Sequence, residues 1–244
     1  MDARRGDGYA VSAEFYDLLQ AETDRRQAEQ RFAEAAARAR YAVLDVGAGT
    51  GIVTEVLLRA STVPVHAVEP APAMRAALLS RLAHLGADRR ARVTVHPEPF
   101  AAAGLAEAAD LAVASNMIAG LDPATRRATW RALTAALRPG GLLLFDPPPA
   151  HLPTGTEEAQ RLGPVRVGPD LYLADVTREP HRGVLRTVFT YRVEREGTVL
   201  RQAREAFDLW PAPPGLLAEE LRTAGLDVVR APHPDLMAAR RPAA

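Results

Sequence analysis

The hydrophobic residues of the first 149 positions follow two alternating patterns. Short apolar runs, typical of strands buried in a parallel sheet, are separated by segments in which apolar residues recur at helical spacing. The predicted strands are 41–46, 63–68, 93–95, 109–114 and 142–145, and the predicted helices are 13–38, 52–59, 73–85 and 123–137. Strands that alternate with helices predict an α/β fold, a parallel sheet with helices on both faces.

The pattern changes after the three prolines at 147–149. Between residues 170 and 209 apolar and polar residues alternate with period two, and Glu196-Gly197 is a typical hairpin turn. One face of this run holds Leu185, Thr187, Phe189, Tyr191 and Val193. The alternation predicts two or three antiparallel strands that cover another part of the molecule. A helix over 216–224 and closing strands at 226–229 and 236–239 are predicted after them.

Composition removes several classes of function. The 244 residues include 30 basic and 30 acidic side chains, so the net charge is zero, which argues against a nucleic-acid-binding protein. The absence of cysteine excludes disulfides, thiolate–zinc sites and cysteine nucleophiles. The sequence also lacks lysine, which excludes Schiff-base catalysis and a Walker A phosphate loop. Without a long apolar run or a signal core, we expect a soluble cytoplasmic protein.

The most informative segment is the loop after the first predicted strand, which runs from Asp45 through Gly47, Gly49 and Gly51. In an open α/β sheet, ligands bind beyond the carboxyl ends of the strands, and glycines there let a ligand approach the backbone. Glu69 ends the second strand, 24 residues after Asp45. A carboxylate at that place can accept both hydroxyl hydrogens of a ribose, so the sequence predicts a ligand that contains a nucleoside.

The loop differs from a dinucleotide-binding loop. That fingerprint is Gly-x-Gly-x-x-Gly, whereas here the third glycine comes one residue early and Ile52 takes its place. The carboxylate of Asp45 would repel a pyrophosphate and suits a cationic or amino-bearing ligand. A nicotinamide-dependent dehydrogenase therefore remains only a less favoured alternative.

This loop resembles motif I of class I S-adenosylmethionine-dependent methyltransferases. Segments 65–70, 137–146 and 224–229 are similar to other motifs of that family, and residues 9–17 resemble the N-terminal segment of its small-molecule members. The resemblance implies a Rossmann-like, mostly parallel seven-stranded sheet and S-adenosylmethionine as cofactor. It also implies transfer to nitrogen or oxygen of a small molecule such as a sugar or another natural product.

The resemblance divides the chain into three parts and supplies the cofactor residues. Residues 1–40 would close over the cofactor, 41–149 with 211–244 would form the core, and 150–210 would roof the substrate or form a homodimer contact. In the family an aspartate after the third strand holds the adenine, and here Glu98 replaces it or Phe100 stacks on the adenine. The implied cofactor-binding residues are Tyr9, Tyr16, Asp45, Gly47, Ala48, Gly49, Gly51, Glu69, Pro70, Met74, Glu98, Pro99, Phe100, Ser115 and Asn116.

The catalytic residues are less defined. Many small-molecule members have a histidine just after the fourth strand, but residues 116–121 contain none. The candidate catalytic residues are Tyr16, Asp146 and His151, with His233 as another loop histidine, and Asp146 alternatively only shapes a turn. Methyl transfer needs no metal, and a neutral amine needs no base for the transfer step. The missing histidine thus favours transfer to nitrogen or to an ionised oxygen, and it leaves open a protein that binds the cofactor without transfer.

Overall fold

The computed structural model describes residues 8–243, which form two sheets and the helices packed on them. The central sheet contains β1 (Val43–Val46), β2 (Val65–Val68), β3 (Val93–His96), β4 (Ala109–Ala114), β5 (Leu137–Phe145), β10 (Asp227–Val229) and β11 (Met237–Arg240). The second sheet contains β6 (Gln160–Val167), β7 (Asp170–His181), β8 (Val184–Arg195) and β9 (Thr198–Leu209). The helices are α1 (Ser12–Arg38), α2 (Ile52–Ala60), α3 (Pro72–Ala83), α4 (Ala87–Arg90), α5 (Pro123–Ala136) and α6 (Pro214–Thr223).

The order of strands in the central sheet places the ligand crevice. That order is β10-β11-β5-β4-β1-β2-β3, and β11 runs antiparallel to both of its neighbours. The chain moves outward from β1 through β2 to β3 and then returns to β4 on the other side of β1. Ligands bind at such a reversal, beyond the carboxyl ends of the strands. The predicted seven-stranded, mostly parallel sheet is confirmed.

Helices cover both faces of the central sheet because the strands are apolar on both sides. Phe32, Leu57 and Leu78, from α1, α2 and α3, are fully buried on one face, and Trp130 and Leu133 of α5 are fully buried on the other. Asp122 caps the N-terminus of α5, since its side chain accepts hydrogen bonds from the backbone N–H groups of residues 124 and 125. No helix among residues 8–243 is long and apolar enough to cross a membrane.

The second sheet packs against the first turns of α1. Phe15 of α1 stacks on Tyr191 of β8 with ring centroids 4.6 Å apart, and the Tyr191 hydroxyl donates a hydrogen bond to Ser12 Oγ at 2.9 Å. Ala28 and Phe32, further along the same helix, are buried against the central core. One 27-residue helix therefore contacts both sheets.

Residues 170–209 form three antiparallel strands, within the predicted two or three, and a further strand that was not predicted, β6, precedes them in the second sheet. A second feature of the secondary structure was predicted wrongly. The segment 138–141, expected to be a turn before the fifth strand, is part of β5, which pairs with β4 through an irregularity between Ala109 and Leu111. The turn at Glu196 and Gly197 is as predicted, and both residues have left-handed backbone angles.

Candidate active site

The glycine loop between β1 and α2 is shaped by contacts within the protein. Gly47 and Gly51 both have positive φ angles, of 74° and 85°. A Cβ at Gly51 would lie 2.5 Å from Leu78 Cδ1, and one at Gly47 would lie 3.0 Å from Met117 Cβ. A Cβ at Gly49 would meet no atom within 4 Å. Gly47 and Gly51 therefore fit the loop to its neighbours, while Gly49 leaves the loop open toward the crevice.

Glu69 lies directly beside the open side of the loop. Its Oε2 accepts a hydrogen bond from the Gly49 N–H at 2.7 Å, and its Oε1 accepts one from the Ala71 N–H at 2.8 Å. Burial raises the pKa of this carboxyl, and the two backbone N–H groups oppose that shift. Each oxygen keeps a further acceptor site, so the carboxylate can still accept two hydroxyl hydrogens.

Asp45 lies beneath the loop. Its side chain is 1% exposed, and its Oδ2 accepts a hydrogen bond from Thr54 Oγ1 at 2.6 Å. Burial raises its pKa to about 7, against the opposing effect of that hydrogen bond. Asp45 thus connects β1 to α2. Its carboxylate was predicted to lie next to the ligand, but it is buried under the loop and does not line the crevice.

One face of α1 forms the opposite wall of a narrow cavity next to the loop. The cavity has a volume of about 50 Å³ and is lined by Tyr16, Asp24, Gln27, the glycine loop, Ser115 and Asn116. The Tyr16 hydroxyl donates a hydrogen bond to Asp24 Oδ2 at 2.9 Å. Burial, followed by the charge of Asp24, raises the pKa of Tyr16 well above its ordinary value, so Tyr16 acts as a donor and not as a base.

An arginine clamp fixes the beginning of α1 to the glycine loop. The guanidinium group of Arg81 donates hydrogen bonds to the Thr50 carbonyl at 2.9 Å, to Asp17 at 2.5 Å and to Glu55 at 3.2 Å. Thr50 Oγ1 also donates a hydrogen bond to Asp17 at 2.6 Å. These four residues therefore connect α1, the loop, α2 and α3. None of them was predicted as a site residue from the sequence.

A row of aromatic rings in contact connects Tyr9, near the N-terminus, to the second sheet. Tyr9 has a positive φ of 72° and stacks on Phe207 of β9, with 4.8 Å between ring centroids. Phe207 contacts Phe189 edge to face, and Phe189 stacks on Tyr191. Burial raises the pKa of the Tyr9 hydroxyl, and the negative charge of Glu69 raises it further, which indicates that Tyr9 lies near the crevice.

The catalytic candidates Asp146, His151 and His233 all lie outside the lining of the cavity. Asp146 accepts hydrogen bonds from Arg31 at 2.8 Å and from the Asn116 backbone N–H at 2.7 Å, so it joins α1 to the loop after β4. His151 is exposed in the following loop and does not line the cavity. His233 accepts a hydrogen bond from the Asp235 backbone N–H and does not line it either.

The residues after β3 divide between surface and core. Glu98 and Pro99 are exposed, whereas Phe100 is 9% exposed and belongs to the same buried cluster as Val68 and Ile118. The adenine contact through Glu98 or through Phe100 stays a prediction. Pro70 is exposed next to Glu69, and Met74 is buried in α3.

Comparisons with known proteins show a similarity to methyltransferases. Residues 44–143 match the family model described as a methyltransferase domain. CalS10, an amino pentose methyltransferase from Micromonospora echinaspora, is 20% identical with a TM-score of 0.71, over 99% of this chain and 100% of that chain. KedS8, a sugar N-methyltransferase from Streptoalloteichus, is 22% identical with a TM-score of 0.68, over 99% and 96%. CcbJ, a methyltransferase from Streptomyces caelestis, is 23% identical with a TM-score of 0.69, over 98% of each chain. No curated protein matches the sequence.

The fold, over essentially the whole chain, is that of the class I methyltransferases. The matched segment 44–143 contains both the glycine loop and Glu69. Residues 44–143 therefore carry a methyltransferase domain, and the similar protein CalS10 was solved with S-adenosylmethionine bound.

The residues present fit this cofactor. Gly49 leaves open space above the loop, and Glu69 next to it retains acceptor sites for ribose hydroxyls. Tyr16, Ser115 and Asn116 continue the crevice across the end of β1 toward β4. The cavity has a volume of about 50 Å³, which is room for only a few water molecules.

Proposed function

We propose that this protein transfers a methyl group from S-adenosylmethionine to an amino nitrogen of a small molecule, most closely an amino sugar or another natural product. When bound, the cofactor supplies an electrophilic methyl group on a sulfonium. Two carboxylates carry the proposal: Asp24 lines the cavity, Glu69 lies beside the glycine loop, and neither carboxylate accepts a hydrogen bond from an arginine. The structural relatives CalS10, an amino pentose methyltransferase, and KedS8, a sugar N-methyltransferase, support an amino sugar acceptor.

The lack of a free base near the crevice supports nitrogen over oxygen as the acceptor atom. Tyr16 stays protonated and Asp146 is held by Arg31, while residues 116–121 contain no histidine. A neutral amine attacks through its lone pair and loses its proton only after the transfer, so it does not require a base in the transition state. The protein then contributes mainly proximity and alignment, which provide up to about 7–11 kcal/mol in well-oriented reactions.

We propose a division of the chain together with this function. Residues 1–40 would close over the cofactor, 41–149 and 211–244 would hold it, and 150–210 would roof the acceptor. The stacked rings of Tyr9, Phe207 and Phe189 give the roof an aromatic lining suited to the apolar face of a sugar ring. We further propose a cytoplasmic homodimer that uses the exposed end of β9 at Val199 and Leu200, and that does not bind nucleic acid. Sedimentation analysis tests the dimer and cell fractionation tests the location.

The direct test is incubation of the purified protein with S-adenosylmethionine and a panel of acceptors. The panel contains nucleotide-linked and free amino sugars, simple amines and phenols, and the readouts are release of S-adenosylhomocysteine and a mass gain of one methyl group. We expect methylation of an amino sugar and no methylation of its hydroxyl analogue. Glu69→Ala is the matched variant, since it removes the ribose carboxylate and abolishes turnover. Methylation of phenols alone would contradict the proposal.

The second candidate function is a protein that binds the cofactor without transferring the methyl group. The observation that favours it is the absence of a histidine after β4. Calorimetric binding of S-adenosylhomocysteine together with no turnover on the whole panel would support it. Binding of NADH with no binding of S-adenosylhomocysteine would instead support the dehydrogenase alternative.

A further inference from the structure

The position of the cavity relative to Glu69 defines which part of the cofactor reaches it. Glu69 follows β2, the glycine loop follows β1, and Ser115 and Asn116 follow β4, in the spatial order β2-β1-β4. The cavity extends from the glycine loop to Ser115 and Asn116. A ligand whose ribose is held at Glu69 therefore points its amino-acid end across β1 into this cavity.

Asp24 is the carboxylate that faces this end of the crevice from α1. It follows Tyr16 by eight residues and precedes Gln27 by three, so all three side chains lie on one face of the helix and line the cavity. Its single hydrogen bond within residues 8–243 comes from the Tyr16 hydroxyl, which reaches Oδ2. The other oxygen has no donor among those residues.

The charges around Asp24 leave it without a dedicated cation. Arg31 is the attractive neighbour, but its guanidinium donates hydrogen bonds to Asp146 at 2.8 Å and to Asp235 at 3.1 Å. Asp17 and Asp146 add repulsion. Burial, only partly opposed by the Tyr16 hydrogen bond and by Arg31, raises the pKa of Asp24. The wall of the cavity thus carries a negative charge that a bound cation would stabilise.

We propose that Asp24 binds the α-ammonium group of the methionyl part of the cofactor. Asp45 does not compete for this role, because its carboxylate is buried under the loop and hydrogen-bonded to Thr54. It rests on the assignment of S-adenosylmethionine as cofactor. Asp24 is a cofactor-binding residue in this proposal and takes no part in proton transfer.

Calorimetry with three ligands tests the proposal on the full chain. The ligands are S-adenosylhomocysteine, its analogue without the α-amino group, and 5′-methylthioadenosine, which lacks the whole amino-acid part. The proteins are the wild type, Asp24→Asn and Glu22→Gln, where Glu22 is an exposed carboxylate on the same helix. Loss of one charge-assisted hydrogen bond weakens binding about 10–100-fold.

We expect Asp24→Asn to bind S-adenosylhomocysteine more weakly than the wild type by that factor. Its affinity for 5′-methylthioadenosine should equal that of the wild type. Glu22→Gln should leave both affinities unchanged. The affinity of the wild type for the deaminated analogue should be about as low as the affinity of Asp24→Asn for S-adenosylhomocysteine. Asp24→Asn itself should bind the two ligands equally. The ligand comparison on the wild type holds even where Asp24→Asn fails to fold.

Three results would overturn the proposal. The first is equal binding of S-adenosylhomocysteine and its deaminated analogue to the wild type. The second is an equal loss of affinity for S-adenosylhomocysteine and for 5′-methylthioadenosine in Asp24→Asn. The third is an Asp24→Asn variant with unchanged cofactor affinity and a raised KM for the acceptor amine, which would assign Asp24 to the acceptor. Failure of the cofactor assignment itself has a different result, since the wild type would then bind none of the three ligands.

Discussion

Asp45 should make the folded protein less stable as the pH rises from about 4 to neutrality. Burial raises its pKa from 3.8 to about 7, so the folded state holds the proton over a range in which the unfolded chain has already released it. An acid whose pKa is raised by folding favours the folded state at low pH, and that contribution is lost between the unfolded and the folded pKa. The sensitive range for Asp45 is therefore about pH 4 to 7.

The magnitude follows from the width of that range. From pH 5 to pH 8 the folded and unfolded chains differ by one proton over about two pH units, and each unit corresponds to about 1.4 kcal/mol. The free energy of unfolding should fall by about 2–3 kcal/mol through Asp45 alone. In a domain of this size that corresponds to a Tm shift of roughly 5–10 °C.

The assay compares urea unfolding of the cofactor-free wild type and Asp45→Asn at pH 5 and pH 8. Asparagine is neutral at both pH values and its oxygen can still accept the Thr54 hydrogen bond. The decline between the two pH values should therefore be smaller by 2–3 kcal/mol in Asp45→Asn than in the wild type. Asp88→Asn, at an exposed position in α4, controls for the loss of a carboxylate. Parallel declines in the wild type and Asp45→Asn would refute the argument.

Two further variants test contacts that hold the site and the core. Arg81→Ala removes the clamp between α1 and the glycine loop; we expect about 1–3 kcal/mol of lost stability and faster proteolysis near residue 12, and an unchanged cleavage rate would contradict this. Glu220→Gln leaves Arg126, 1% exposed, without its counter-charge; we expect a loss of about 3–5 kcal/mol in chemical unfolding, and a loss under 1 kcal/mol would show that the pair contributes little.

The central sheet could be predicted because its strands are buried and short. Residues 109–114 were predicted as a strand at the observed bounds, since an apolar run between polar residues has few other structures available. The strand β6 was missed for the opposite reason. It is a mostly exposed edge strand interrupted by Gly163-Pro164, so its side chains do not alternate between an apolar and a polar face.

The parts of the site that depend on backbone geometry could be predicted from the sequence. The side chains whose partners are distant in sequence were harder to predict. The glycine loop and Glu69 are adjacent as expected, because both follow neighbouring parallel strands. The ion pair of Asp146 could not be predicted from the sequence, because its partner Arg31 lies 115 residues earlier. Asp24 was missed, although extending the helical face of Tyr16 by eight residues would have located it.

The length of α1 has a kinetic consequence. Its first turns are fastened to the second sheet through Phe15 and Tyr191, and its middle forms one side of the cofactor cavity. A helix behaves as a stiff rod, so a tilt of α1 that widens the cavity must also displace the second sheet, which is fastened to its first turns. Donor entry and acceptor access then share a single motion, and we expect a compulsory order in initial-rate and product-inhibition patterns, with the methyl donor first to arrive and its spent form last to leave.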